Sequence, residues 1–175
     1  MTRATTSAPA AASMDATERQ QVTAAMNAIR SIVRALRVSS RMVEGRMGIS
    51  GAQLFVMQQL AERPARSLNE LADRTATHQS SVSVVVRRLV EHGYVARTTS
   101  RVDRRRVELT LTARGHEVLA DAPSTVQYQL LRGARALSQQ EQRALADLLH
   151  AWVRASGIDA GTPPLFGEDG TAAGT

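Results

Sequence analysis

Residues 101–106, Arg-Val-Asp-Arg-Arg-Arg, place four guanidinium groups and one carboxylate in six positions. A guanidinium stays charged and offers a planar fork of donors that matches phosphate, so this density of arginine suits the binding of a polyanion. The stretch runs straight into Val107-Glu108-Leu109-Thr110-Leu111-Thr112, which alternates apolar and polar residues with the period of a strand. A second set of candidate binding groups lies earlier in the chain. In 78–93, Val82, Val85, Val86 and Leu89 share one face of a helical pattern, and opposite them stand Gln79, Ser80, Ser81, Ser83, Val84 and Arg87. Serines permit close approach of a backbone and donate to phosphates or bases, glutamine pairs with adenine, and valine fits a thymine methyl. Helix capping is the competing account of Ser80 and Ser81, and ion pairing with Glu91 that of Arg87 and Arg88.

Composition bounds the chemistry further. The 175 residues suit one domain, and 43% apolar content is ample for one core. All 22 basic residues are arginine, which excludes Schiff-base and phosphate-loop lysines and also fits a GC-rich coding bias. Without cysteine there is no disulfide, zinc-thiolate site or thiol switch. No apolar run approaches the roughly 20 residues of a membrane helix, and the first 14 residues are too weakly apolar for a signal peptide. A cytoplasmic location away from membranes is expected. Catalysis is not: G-x-S-x-G and G-x-G-x-x-G are absent, and His78, His92, His116 and His150 fall on different expected elements. Neither a metal site nor a cofactor is expected. At 3% aromatic residues, RNA recognition by stacking is disfavoured.

The elements that would position these residues are mainly helical. Residues 1–14 and 157–175 have the composition of disordered tails. From 15 to 47, Val22, Ile29, Leu36 and Val43 recur every seven residues, joined by Met26 and Val33, which predicts a long helix with an apolar seam. Ser50 with Gln53 and Ser67 with Glu70 are capping-box pairs that open two shorter helices. The helix of 78–93 follows and stops at Gly93. Tyr94–Arg97 and 107–112 then form a hairpin around the arginine-rich loop. Helix is expected from 113 to about 133, kinked or broken at Pro123, and again from a capping box at Ser138 and Glu141 with Leu145, Leu148, Leu149 and Trp152 as its stripe.

Two short helices at a tight turn followed by a hairpin make a winged helix-turn-helix, in a fold that is mainly α with a small β-hairpin wing. Charge supports the assignment. Between Arg63 and Gly115 there are 11 arginines and 5 acids, and the rest of the chain has 11 of each. The whole excess sits on the candidate DNA-binding module, the footprint of phosphate binding.

The sequence resembles the MarR family of transcriptional regulators over roughly residues 20–155, through SLNELADRTATHQSSVSVVVRRLVEHGYVAR and DRRRVELTLTARG. The resemblance implies a winged helix-turn-helix at 50–112 within a domain of 15–156, with 15–47 and 113–156 as dimerisation helices. It further implies a homodimer on a pseudo-palindromic double-stranded operator, and repression is the corresponding role expected of it. A winged module that binds DNA or protein without any ligand response is the alternative. Arg105 matches the wing position that enters the minor groove, Arg101, Arg104 and Arg106 suit phosphates, and Asp103 would brace an arginine through a bidentate pair. Two departures stand out: Ala76 where the turn usually has glycine, and Val84 where a polar or basic residue often faces DNA. Members of the family often bind aromatic carboxylates or phenols between the dimer helices and the winged module. Arg30, Arg34, Arg37 and Arg41, four or three residues apart beside the apolar seam, are the candidates for such an anion, or else a solvated face.

Overall fold

Helix α1, Ala16–Met47, carries the seven-residue seam. The computed structural model describes residues 15–99 and 107–158 of the chain. These divide after Arg34 into two compact units. In the first, Val22, Ile32 and Val33 stay exposed. In the second, Val43 of the same helix is fully buried and Val38 and Met42 are exposed.

The core of the second unit forms around α2, Gly51–Glu62. Ser50 and Gln53 close the expected box: Gln53 N–H donates to Ser50 Oγ at 3.2 Å and Ser50 N–H to Gln53 Oε1 at 2.8 Å. Leu54, Phe55, Val56 and Met57 are all buried, because α2 is covered on every side rather than along one stripe. Helices α3, Leu68–Thr75, and α4, Gln79–Glu91, pack on it and on each other. At α3 the expected box is only half made. Ser67 Oγ accepts from Glu70 N–H at 3.0 Å, but Glu70 Oε2 accepts from Arg66 N–H at 2.9 Å instead of from Ser67. The same carboxylate lies between Arg63 at 3.7 Å and Arg74 at 4.0 Å, and those two cations draw it one residue further back.

Strands β1, Val95–Thr99, and β2, Val107–Leu111, are antiparallel, with Val95 opposite Leu111 and Thr99 opposite Val107. Ala65 adds a third edge, donating to Leu109 carbonyl at 3.0 Å and accepting from Leu109 N–H at 2.7 Å. Leu109 is thereby buried at the centre of the small sheet, as its alternating pattern requires.

Beyond the hairpin the helical stretch expected over 113–133, kinked or broken at Pro123, is two helices, α5, Ala113–Ala120, and α6, Val126–Ala136. Pro123 breaks the pattern rather than bending it. Thr125 restarts the chain as an N-cap, its Oγ accepting from Tyr128 N–H at 3.2 Å while it donates to Gln58 Oε1 of α2 at 2.8 Å. The last helix, α7, Gln139–Ala155, opens with the expected Ser138 and Glu141 box, and no residue on it is buried. Among the described residues no helix is long and apolar enough to cross a membrane, and no group of three His, Asp or Glu is placed to hold a metal ion.

Candidate nucleic-acid interface

Helix α4 divides into two faces as its sequence dictates. Val82, Val85, Val86 and Leu89 are buried against the core, while Gln79, Ser80, Ser83 and Arg87 are exposed and Ser81 and Val84 half-buried at the margin. Arg87 lies 3.9 Å from Glu91, an exposed pair one turn apart that is worth a few tenths of a kcal/mol, roughly 0.3–0.5. So weak a pair leaves the guanidinium available to a stronger acceptor. His78 is the N-cap, exposed and with no capping bond from its ring, so it stands beside Gln79 and Ser80 at the start of the exposed face. It belongs with them as a candidate contact, and its place immediately before the first helical residue was the available signal.

The turn that sets the angle of α4 is tight. Ala76 has φ 52° and ψ 45°, left-handed backbone that favours glycine. Thr77 N–H donates to Ala72 carbonyl at 3.0 Å and Ala76 N–H to Asp73 carbonyl at 3.3 Å, the pair of bonds that defines a Schellman ending. Alanine is therefore in the conformation glycine would hold, at a cost of about 1 kcal/mol.

The hairpin is held at its base by Thr112 and Gly115. Thr112 N–H donates to Tyr94 carbonyl at 3.0 Å, and its Oγ1 donates to Gly93 carbonyl at 2.7 Å and accepts from Gly115 N–H at 3.0 Å. One side chain thus ends the strand, caps α5 and ties both to the end of α4. Gly115 is buried against the Tyr94 backbone. The Arg114 guanidinium lies 5.1 Å from the centroid of the Tyr94 ring, which also stacks on His92 at 5.9 Å. Arg97, exposed on β1, extends the basic surface toward the wing. Of the expected wing residues, Arg101, Asp103, Arg104, Arg105 and Arg106 lie outside the described residues.

Not all of the clustered arginine is surface charge. Arg74 is buried, with its guanidinium donating to the carbonyls of Gln59, Arg63 at 2.9 Å and Pro64 at 3.3 Å. Burial first, and then the nearby Arg63, lower its pKa, with Glu70 opposing. Arg74 is a staple between α3 and the end of α2. A count of charge along the sequence assigns it to the DNA-facing surface because counting is blind to where a long side chain turns.

The proposed anion-binding residues divide at Arg34. Arg30 is exposed and donates to Asn27 Oδ1 at 3.0 Å within the first unit, where Arg34 is exposed as well. In the second unit Arg37 and Arg41 are exposed. Among the described residues none of the four makes an ion pair with an acid.

A family model described as MarR family matches residues 47–106. The transcriptional repressor MdtR of Bacillus subtilis is 33% identical over 90 residues, 48% of this chain, and the chain spans 58% of that relative's length. A putative transcriptional regulatory protein for the hcr operon of Thauera aromatica is 32% identical over 120 residues, covering 69% of this chain and 72% of that protein. Among solved structures, Sco3205 of Streptomyces coelicolor, a MarR family regulator crystallised with DNA, superposes with a TM-score of 0.52 at 24% identity over 87% of this chain and 99% of that one. BldR of Sulfolobus solfataricus, a transcriptional regulator, gives 0.52 at 25% identity over 81% and 99%. With the winged helix-turn-helix built as described, the family model matched over most of it and a relative 32% identical over 69% of the chain, the chain belongs to the MarR family of transcriptional regulators.

Proposed function

We propose that the chain is a sequence-specific regulator that binds double-stranded DNA as a homodimer on a pseudo-palindromic operator, in the cytoplasm, and acts as a repressor released by a small aromatic carboxylate or phenol. The observation that carries the reading is the face of α4. Gln79, Ser80, Ser83 and Arg87 are exposed over a fully apolar underside, and α4 packs on the hairpin whose strands bound the arginine-rich stretch. Such a face supplies base-edge partners, with Ser81 and Val84 at its margin, while Arg101, Arg104 and Arg106 supply phosphate contacts and Arg105 enters the minor groove, braced by Asp103. The homodimer is supported by Leu145, Leu148, Leu149 and Val153, all exposed on α7 of the single chain. The released state is supported by the exposed guanidinium groups of Arg30, Arg34 and Arg37, which suit an anionic ring.

Footprinting of genomic DNA with the full chain tests the reading. Protection of one defined, two-fold site is expected, and aromatic carboxylates and phenols added to that footprint should lift it. Protection everywhere, lost steeply with salt, would instead make the chain a general binder.

A further inference from the structure

Helix α3 ends with a carbonyl that takes its donor from another helix. The Schellman bonds take the carbonyls of Ala72 and Asp73, and Thr75 Oγ1 adds bonds to those of Leu71 at 2.9 Å and Ala72 at 3.1 Å. The carbonyl of Arg74 comes next, and Arg135 Nη2 of α6 donates to it at 2.7 Å. The bond is charge-assisted and puts a cation at the negative end of α3, two reasons for it to be stronger than a neutral contact. Arg74 is tied on its other side as well, because its own guanidinium holds the carbonyl of Gln59 in the last turn of α2 and that of its C-cap Arg63. Helix α6 is in turn fastened to α2, by Thr125 to Gln58 and by Tyr128 Oη donating to Glu62 Oε1 at 2.6 Å. Helices α2, α3 and α6 therefore form a frame tied on all three sides. Recognition helix α4 leaves that frame only three residues after Ala76, whose left-handed backbone needs its surroundings to hold it.

We propose that Arg135 is a positioning residue for DNA recognition. By capping α3 from α6 it transmits the placement of α6 to the α3–α4 turn, and so fixes the angle of α4 and the half-site spacing that the protein accepts. The inference rests on the homodimeric regulator reading above. It assigns Arg135 no contact with DNA.

The test begins with a duplex selected by the full chain from a random library, and with the same duplex carrying one base pair inserted at its centre of symmetry. The ratio of the two affinities measures spacing discrimination. Loss of a charge or of general stability weakens both duplexes alike and leaves the ratio unmoved. Arg135→Met should lower the ratio at least about fivefold, the low end of a coupling between two sites. Adding Ala76→Gly relieves the turn without restoring the tie, so Ala76→Gly with Arg135→Met should keep the lowered ratio. An unchanged ratio in Arg135→Met, or its recovery in the double variant, overturns the positioning role alone. If the wild-type chain selects no duplex, the regulator reading fails and takes the proposal with it.

Discussion

A Cβ placed on Gly115 would sit 2.2 Å from the carbonyl oxygen of Tyr94, and 3.2 Å from its carbonyl carbon. The first turn of α5 and the start of the hairpin touch backbone to backbone, and only glycine allows it. Gly115→Ala should therefore destabilise by about 3 kcal/mol, at the upper end of overpacking costs because the obstacle is main chain and not a movable side chain. Urea denaturation measures the loss. A change under about 0.5 kcal/mol would mean that the two segments separate freely.

Ala76 makes the opposite case. Its φ of 52° costs an alanine what it does not cost a glycine. Ala76→Gly should raise stability by about 1 kcal/mol, less whatever entropy the unfolded glycine regains. Thermal unfolding of the two proteins side by side would show it as a rise in Tm, and a fall would refute the strain.

Tyr128 gives a pH dependence. Its hydrogen bond to the Glu62 carboxylate, followed by burial, pushes the phenol's pKa up. A proton held more tightly in the folded chain contributes stability that is complete below the ordinary tyrosine range and is lost as pH rises through the folded-state value. Tyr128→Phe should remove that alkaline decline. At neutral pH it should cost only about 0.5 kcal/mol, because solvent reaches the pair. Denaturation curves at neutral and alkaline pH distinguish the two effects.

Much of this architecture is legible along the chain, for local reasons. Ser50 with Gln53 and Ser138 with Glu141 announce helix starts because the capping bonds span three residues. The valines of α4 give its buried face because the helical period alone sorts them. The features that are not legible need partners far away in sequence. The Glu70 carboxylate bonds the Arg66 N–H in place of that of Ser67, beside Arg63 and Arg74, and Arg74 itself turns inward to carbonyls up to 15 residues earlier. Pro123 marks an interruption, but its outcome, two helices, depends on Gln58 of α2 accepting from Thr125 and donating to the Pro123 carbonyl. Along the chain Ala76 is only a departure from the usual glycine, and the backbone angle alone reveals its strain.

On the wing, three substitutions separate three roles. Arg105→Ala should cost about 1–3 kcal/mol per contact and relax preference at the flanks of the half-site. Arg104→Ala should weaken all sequences alike and lower the salt slope by about one for each phosphate no longer neutralised. Asp103→Ala should weaken binding, although simple charge counting says the reverse. Titrations of a selected duplex at several salt concentrations measure all three, and tighter binding by Asp103→Ala with intact specificity would sink the brace.

The stripe on α7 makes the oligomer testable. Leu148 is 70% exposed in the single chain, and covering a side chain of its size is worth about 1.5–3 kcal/mol. Leu148→Glu should shift sedimentation toward the monomer while the winged module stays folded. A wild-type chain that sediments as a stable monomer at micromolar concentration would remove the homodimer altogether.

The Thr112 tie also governs how this protein can diversify. Val95 is registered opposite Leu111, Thr112 is bonded back to Gly93 and Tyr94, and Ala65 clasps Leu109 from the other edge. An inserted or deleted residue within 107–111 would throw this ladder out of register. The described pairing ends at Thr99 and resumes at Val107, and a connection between strand ends in general lengthens at little entropic cost. Over generations, changes of length should accumulate in that interval and be purged from the segment after it. If the arginine-rich stretch meets DNA as proposed, new binding preferences can then arise by rewriting it while the scaffold of 107–111 is inherited unaltered.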